Sequence, residues 1–235
     1  MSKADEIRKL FASPLGKDEV AFMYLGYSGV IVRTSNRTII IDPAELLGGE
    51  EIKALKGVDL LLFTHNHGDH YRSGVALDIF KATGAPVLAE PLVANDLKGK
   101  VSSDKLTSAS AGKTYNFNGI MVSTIQGIHR GPIILYHLKI GEISIFHGGD
   151  SGYVSVKDYP ADLAFLPTGS PSPTASPENA FKMASELKPS IVVAIHGSGV
   201  QSKEFEDKVK ENLPKTTVMI TEPYLPKTVN LRKKT

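Results

Sequence analysis

A chain of 235 residues suits one large domain or two small ones, and folded as one body it hides roughly 70% of its extended surface, so it needs no disulfide or structural metal. Basic and acidic side chains, 27 and 25, nearly cancel, which leaves no global field for nucleic acid or an anionic membrane. The absence of cysteine excludes disulfide scaffolds, thiolate metal sites, iron–sulfur clusters and cysteine nucleophiles.

The opening MSKADEIRKLF reads as a charged amphipathic helix with Ile7, Leu10 and Phe11 on one face, packed at a domain edge. It lacks the apolar core of a signal peptide, and no run of about 18 apolar residues occurs, so a cytoplasmic location without a membrane partner is expected. Past Pro14 and Gly16 the pattern turns to strands: Val20–Leu25, Val30–Arg33 and Thr38–Ile41. A helical stretch, Gly49–Leu55, leads to Val58–Phe63, whose continuous apolar run predicts a buried strand. Ser73–Ala82 reads as helix, Pro86–Ala89 as strand and Leu92–Leu97 as helix, ahead of a polar Ser/Lys segment, 98–113.

The opening pattern then recurs. Strands are predicted over Ile120–Ile125, Ile133–Ile140 and Ile143–His147, ending at Asp150 as the first series ends near Asp42. Leu163–Leu166 is a short buried strand like Val58–Phe63. Glu178–Leu187 reads as helix, Ile191–Ile195 as strand, Lys203–Leu213 as helix and Val218–Ile220 as strand, before a basic tail, Leu231–Thr235. Strands followed by helices, twice, with no Gly/Ser linker between, predict a single α/β domain over residues 1–235 built of two similar halves.

The chemistry concentrates in Thr64-His65-Asn66-His67-Gly68-Asp69-His70, directly after a predicted buried strand. Three histidines and an aspartate within six positions offer four nitrogen and oxygen donors on one loop, and four such groups packed without a cation would repel or go unpaired. Imidazole with carboxylate suits Zn²⁺, and Mn²⁺ or Fe²⁺ as well. A lone histidine would more often be a hydrogen-bonded structural residue, and His137 and His147, both in strand-like stretches, are read that way.

The HxHxDH run resembles the metallo-β-lactamase superfamily of metal-dependent hydrolases. In that family it is followed by a lone His, a bridging Asp and a late His. His129 in Ile125-Gln-Gly-Ile-His-Arg-Gly131, Asp150 in His147-Gly-Gly-Asp-Ser-Gly152, and His196 at the end of Ile191–Ile195 match these. Arg37–Pro43, with its Ile-Ile-Ile-Asp-Pro, is similar to the segment that precedes the motif in many members. Leu166-Pro-Thr-Gly-Ser170, Pro177-Glu-Asn-Ala180, Lys188-Pro189 and Ile195-His196 resemble the UlaG-like branch, which usually carries Pro-x-Gly-Gly and a His in the Leu-Gly-x-Ser turn. Here Gly169-Ser170 and Tyr27 stand in those places.

The resemblance implies a four-layered αββα sandwich with a metal site at one edge between its two sheets. It implies two divalent ions, Zn²⁺ before Mn²⁺ or Fe²⁺: His65, His67 and His129 on one, Asp69, His70 and His196 on the other, Asp150 bridging. A hydroxide between the ions would attack a carbonyl carbon or phosphorus, with Asp69 orienting it or carrying its proton. Asp42 is a candidate for fixing a ligand imidazole, or else simply caps the Pro43 turn. Tyr27, Tyr71, Arg72, Arg130 and Thr174 are substrate-binding candidates, the arginines favouring an anionic substrate and Thr174 lying in the proline-stiffened loop Thr168–Pro177.

The expected reaction is hydrolysis of a small ester, lactone, amide or phosphodiester. A nuclease or phosphodiesterase of the same superfamily would need a basic groove or a gripping arm, and the charge balance offers neither. The diiron flavoprotein branch places Glu where this chain has His67. A non-catalytic metal-binding module would take up metal without turnover, although such modules often lack a ligand. The expected partner is a small molecule, with a homo-oligomer compatible and nucleic acid not expected.

Overall fold

A computed structural model describes residues 2–232. The chain forms two compact bodies, one from residues 2–110 with 222–232 and the other from 111–221. Each contains a seven-stranded mixed sheet.

In the first body the sheet is built from β1 (Glu19–Gly26), β2 (Gly29–Arg33), β3 (Thr38–Ile41), β4 (Leu60–Phe63), β5 (Val87–Ala89), β6 (Leu106–Ser108) and β14 (Lys227–Asn230), in the order β14-β1-β2-β3-β4-β5-β6. The pairs β14/β1, β1/β2 and β2/β3 are antiparallel, and β3/β4, β4/β5 and β5/β6 are parallel. Helices α1 (Lys3–Ala12), α2 (Gly49–Ala54), α3 (Ser73–Thr83) and α4 (Pro91–Leu97) supply Ile7, Leu10, Ile52, Ile79, Val93 and Leu97 to a core completed by Met23, Ile31, Ile40, Leu61, Phe63 and Val87. Period-two alternation puts these strand residues on one face, and their neighbours Phe22, Val32, Ile39, Leu60 and Leu62 are buried too, so both faces are covered.

The second body repeats the pattern with β7 (Thr114–Phe117), β8 (Ile120–Gln126), β9 (Ile134–Ile140), β10 (Ile143–His147), β11 (Leu163–Pro167), β12 (Ile191–Ile195) and β13 (Thr217–Ile220), in that order. Again the first three pairings are antiparallel and the last three parallel. Helices α5 (Pro177–Leu187) and α6 (Gly199–Asn212) bring Met183, Leu187, Phe205 and Val209 onto Leu135, Phe146, Ala164, Leu166 and Val192. The α/β class and the recurrence read in the sequence therefore hold at the level of strand order. The recurrence has one permutation: the outermost antiparallel strand of the second body precedes its neighbour in the chain, whereas that of the first is supplied by the C-terminal segment.

Several boundaries differ from expectation for local reasons. Helix α6 begins four residues early because Ser198 caps it, its hydroxyl accepting from Gln201 N while the Gln201 side chain accepts from Ser198 N. Strands β6 and β7 lie in or beside the polar Ser/Lys segment, where no strand is predicted. They are edge or near-edge strands with little apolar pattern, and pairing, not composition, makes them strands. The expected basic tail starts instead with an anchored residue. Leu231 is buried and its N–H donates to the Asp18 carbonyl, whereas residues 233–235 lie outside the described part of the chain. Among the described residues no helix is long and apolar enough to cross a membrane.

Candidate metal centre

In the first body β4, flanked by parallel strands on both sides, ends at Phe63 and releases the HxHxDH loop at its carboxyl end. The loop is a tight turn in which His70 N and Tyr71 N both donate to the His67 carbonyl, at 3.0 and 2.8 Å. It stacks the rings closely, with centroids 4.5 Å apart for His65–His67 and 4.1 Å for His65–His70. His65 and His70 are buried, His67 and Asp69 half-buried, and only Asn66 is exposed.

Asp42, at the end of neighbouring β3, anchors this loop. It is fully buried and adopts a left-handed backbone, φ 47°, which turns its carboxylate under Thr64 and His70. One oxygen accepts from Thr64 N at 2.8 Å; the other accepts from Thr64 Oγ1 at 2.5 Å and from His70 Nδ1 at 2.9 Å. A carboxylate only accepts, so His70 carries its proton on Nδ1. Thr64 spends its own proton on Asp42, so its oxygen accepts from His65 Nδ1, 3.0 Å away. Both rings are thereby held as the tautomer whose Nε2 is a lone-pair donor. Thr64 is not marked by the sequence pattern as a site residue; its position directly before the first motif histidine is the available signal.

The second body gathers its donors from three strand ends. His129 follows β8 on a turn strapped to the turn after β10: Ile128 N donates to Ser151 Oγ at 2.8 Å and Gly152 N to the Ile128 carbonyl at 2.8 Å. Only glycine fits at 127, where an added Cβ would lie 2.7 Å from Ile133 and 2.9 Å from Ser151 Oγ. Asp150 sits in the β10 turn, and His196 follows β12 in a left-handed conformation, φ 44°. Asp150 Oδ2 stands 3.4 Å from His129 Nε2 and 3.8 Å from His196 Nε2. His196 Nδ1 faces the Gly169 carbonyl at 3.4 Å, an acceptor only, so its Nε2 too bears the lone pair.

These spacings test whether the donors suit a cation. His70 Nε2 lies 3.7 Å from Asp69 Oδ2, and the two contacts of Asp150 are 3.4 and 3.8 Å. With the proton on Nδ1, as on His70 and His196, the 3.7 and 3.8 Å contacts are not N–H···O hydrogen bonds and bring lone pair against negative oxygen in a buried setting. Donors on a tetrahedral ion at about 2.0–2.1 Å stand about 3.3–3.4 Å apart. The set therefore fits a cation held by nitrogen and oxygen.

The remaining candidates scatter. Tyr27, in the turn between β1 and β2, is 44% exposed with φ 48°. Tyr71 turns inward: its ring meets Phe63 edge-on and its hydroxyl donates to Asp96 at 2.5 Å, so it serves the core of the first body. Burial, and then the neighbouring Asp96, push that phenol's pKa upward. Arg72 lies over Gly68 with its Nε 3.3 Å from Glu45, and Arg130 is exposed. Thr174 is half-buried, its hydroxyl 3.1 Å from His129 Nδ1. Of the two histidines outside the candidate ligand set, His137 directs Nε2 to the Pro160 carbonyl at 3.0 Å and burial lowers its pKa, while His147 Nδ1 accepts from Gly149 N.

Residues 21–196 match the family model of the β-lactamase superfamily domain. The chain belongs to the metallo-β-lactamase superfamily. Curated relatives include a protein of Thermococcus kodakarensis named metal-dependent hydrolase, 31% identical over 75% of this chain and 84% of its own length. Another of the same name, from Thermus thermophilus, is 32% identical over 75% and 83%. Among solved structures, the metallo hydrolase Igni18 of Ignicoccus hospitalis superposes with a TM-score of 0.77 over 90% of this chain and 98% of that one, at 24% identity, a likeness of fold. In this superfamily member, then, the HxHxDH loop and the three later donors stand at carboxyl ends of strands in two sheets of like order.

Proposed function

We propose that this metallo-β-lactamase superfamily member is a metal-dependent hydrolase of the UlaG-like branch, whose histidine and aspartate ligand groups hold two divalent cations, Zn²⁺ foremost. His65, His67 and His129 would hold one, Asp69, His70 and His196 the other, and Asp150 both. The observation that carries this reading is the proton arrangement: His70 and His196 have Nδ1 committed to an acceptor and Nε2 set beside a carboxylate oxygen at 3.7 and 3.8 Å. The relatives' common name, metal-dependent hydrolase, supports the same class.

Two such cations, when bound, supply Lewis acidity toward a carbonyl or phosphoryl oxygen and acidify water to near neutrality. The chain's own contribution is positional. Asp42 and Thr64 fix two imidazoles before any ligand arrives, so no reorganisation is needed at the moment of reaction. Asp69, half-buried beside His70 Nε2, would orient the nucleophile and take its proton. The substrate proposed is a small ester, lactone, amide or phosphodiester, with exposed Arg130 favouring an anionic one. The setting proposed is the cytoplasm, with a small molecule as partner.

The test is metal analysis of Zn²⁺-dialysed protein alongside turnover on matched carboxyl-ester and phosphodiester panels. Two ions per chain with ester or phosphodiester turnover is the expected result. Fewer than one ion per chain would overturn the metal reading. Two ions without turnover on any substrate would favour a non-catalytic metal-binding module, and preference for polynucleotides a nuclease.

A further inference from the structure

The loop Thr168–Pro177, with three prolines and five hydroxyl residues, contains a hydroxyl pair tied to two of the ligand groups. Ser172 Oγ lies 2.6 Å from the Asp150 carbonyl, and Thr174 Oγ1 lies 3.3 Å from that carbonyl and 3.1 Å from His129 Nδ1. The two hydroxyl oxygens are 3.4 Å apart. Backbone N–H groups of Thr174 and Ala175 both donate to Ser172 Oγ, at 3.2 Å each.

Counting donors and acceptors orders the protons. A hydroxyl has one proton and two lone pairs. Both lone pairs of Ser172 are taken by N–H groups and its proton goes to the Asp150 carbonyl, so Ser172 has nothing left to accept from Thr174. The Thr174 proton then has two acceptors in reach, the second lone pair of the Asp150 carbonyl at 3.3 Å and His129 Nδ1 at 3.1 Å. Directed to the Asp150 carbonyl beside the Ser172 proton, it leaves the oxygen of Thr174 as acceptor and His129 Nδ1 as the donor.

We propose that Thr174, supported by Ser172, is a positioning residue: a proton-ordered brace that fixes His129 as the Nδ1–H tautomer and ties its ring to the backbone of Asp150. The brace deepens the metal reading above and rests on it for its consequence, since only the fixed tautomer turns Nε2 of His129 toward Asp150 Oδ2 as a second donor. The first body holds His65 by the same device, imidazole N–H to threonine oxygen to an acceptor, with Asp42 in place of the Asp150 carbonyl. In the second body the acceptor belongs to a ligand residue itself, so one threonine couples the placement of two donors. Asn179 Nδ2 donates to the Thr174 carbonyl at 2.9 Å and holds the brace to helix α5, which makes the loop a fixed part of its body.

The direct test is the ring-nitrogen NMR spectrum of His129 in metal-free protein at a pH where the imidazole is neutral. The wild-type ring is expected as Nδ1–H. Finding it as Nε2–H overturns the brace, and needs no variant to fold. Thr174→Val, which keeps the shape and removes both hydrogen bonds, is expected to mix the tautomers. It is also expected to release Zn²⁺ to a chelator about 10- to 100-fold faster, the range for groups that orient metal ligands, while Thr174→Ser stays within about threefold of wild type. Valine and wild-type proteins releasing Zn²⁺ at one rate, with one His129 spectrum, would also overturn it. If wild-type protein takes up no Zn²⁺ at all, the metal reading fails by itself, and the metal-free spectrum still decides for or against the brace.

Discussion

The two bodies share a strand order but use it differently. The first puts four donors on one six-residue stretch after β4, so their mutual placement needs a tight turn and one buried carboxylate. The second draws His129, Asp150 and His196 from the ends of β8, β10 and β12, so their placement depends on the register of five adjacent strands. Equivalent positions make the contrast concrete. After the second parallel strand of the first body comes Thr64, and of the second body Thr168; after the third come Glu90 and His196. At the third strand end one body places a buried carboxyl that caps a helix and the other places a donor. Both place a non-glycine residue at positive φ there, Asp42 and His196, at a cost of about 1–3 kcal/mol each that the surrounding sheet must offset.

Removing a donor from the dispersed set should cost most. Asp150→Ala deletes the oxygen between His129 and His196, and is expected to lower turnover by more than the roughly 100-fold ceiling for supporting groups, with bound Zn²⁺ falling from the proposed two per chain toward none. His67→Ala, in the compact loop, should retain one ion. If metal content falls equally in the two variants, the bodies do not differ as argued. Next in size is Asp42→Asn. An amide offers one acceptor where three hydrogen bonds converge on a carboxylate, so Thr64 and His70 lose their common partner. Zn²⁺ affinity measured by chelator competition should drop about 10- to 100-fold with the fold intact.

How much can be read from the sequence follows the same division. The compact loop is legible because HxHxDH is local, and three imidazoles with a carboxylate on so short a stretch point to a cation by themselves. The dispersed donors can be named only through family resemblance, since His129, Asp150 and His196 are each unremarkable in their own surroundings. Strand β14 is invisible in the sequence because it pairs with β1 across most of the chain, and Lys227–Asn230 has no period-two apolar pattern of its own. Thr174 reads as a substrate residue because a hydroxyl in a loop carries no mark of direction; only the distances to His129 and Asp150 reveal it. Tyr71 is a substrate-binding candidate in the sequence, but the turn carries its side chain into the core against Phe63.

The equivalent positions Glu90 and His196 give a smaller effect. Glu90 is buried, its Oε2 accepting from Leu92 N and Val93 N at the start of α4, and burial raises its pKa more than those N–H groups lower it. A carboxyl whose folded pKa is raised holds its proton more tightly in the native state. Stability is therefore full below the unfolded value and declines as pH rises through the folded one. Glu90→Gln keeps an acceptor oxygen for the cap and removes the titration. Its thermal midpoint is expected to exceed wild type at pH 7 by a few degrees, about 1 kcal/mol being worth roughly 2–4 °C at this size, with the gap closing at pH 4. A midpoint below wild type at pH 7 would mean that the charge at this strand end contributes, as a donor would.

The smallest expected effect lies under the compact loop. The Tyr71 hydroxyl first, then Lys100, lower the Asp96 carboxyl to about 2. The sign is opposite to that of Glu90: a lowered carboxylate stabilises above its unfolded value near 3.8, and the gain is lost as pH falls toward 2. With the Asp96 side chain 46% exposed, solvent screening holds this to about 1 kcal/mol or less. Tyr71→Phe keeps the ring on Phe63 and removes the hydroxyl, so its urea midpoint at pH 7 should fall slightly while the drop between pH 4 and pH 2 becomes shallower than in wild type. An unchanged acid slope would assign the lowered Asp96 to Lys100 and Ser73. The hydroxyl joins Asp96 of α4 to the residue after His70, so that outcome would leave the compact loop resting chiefly on Asp42.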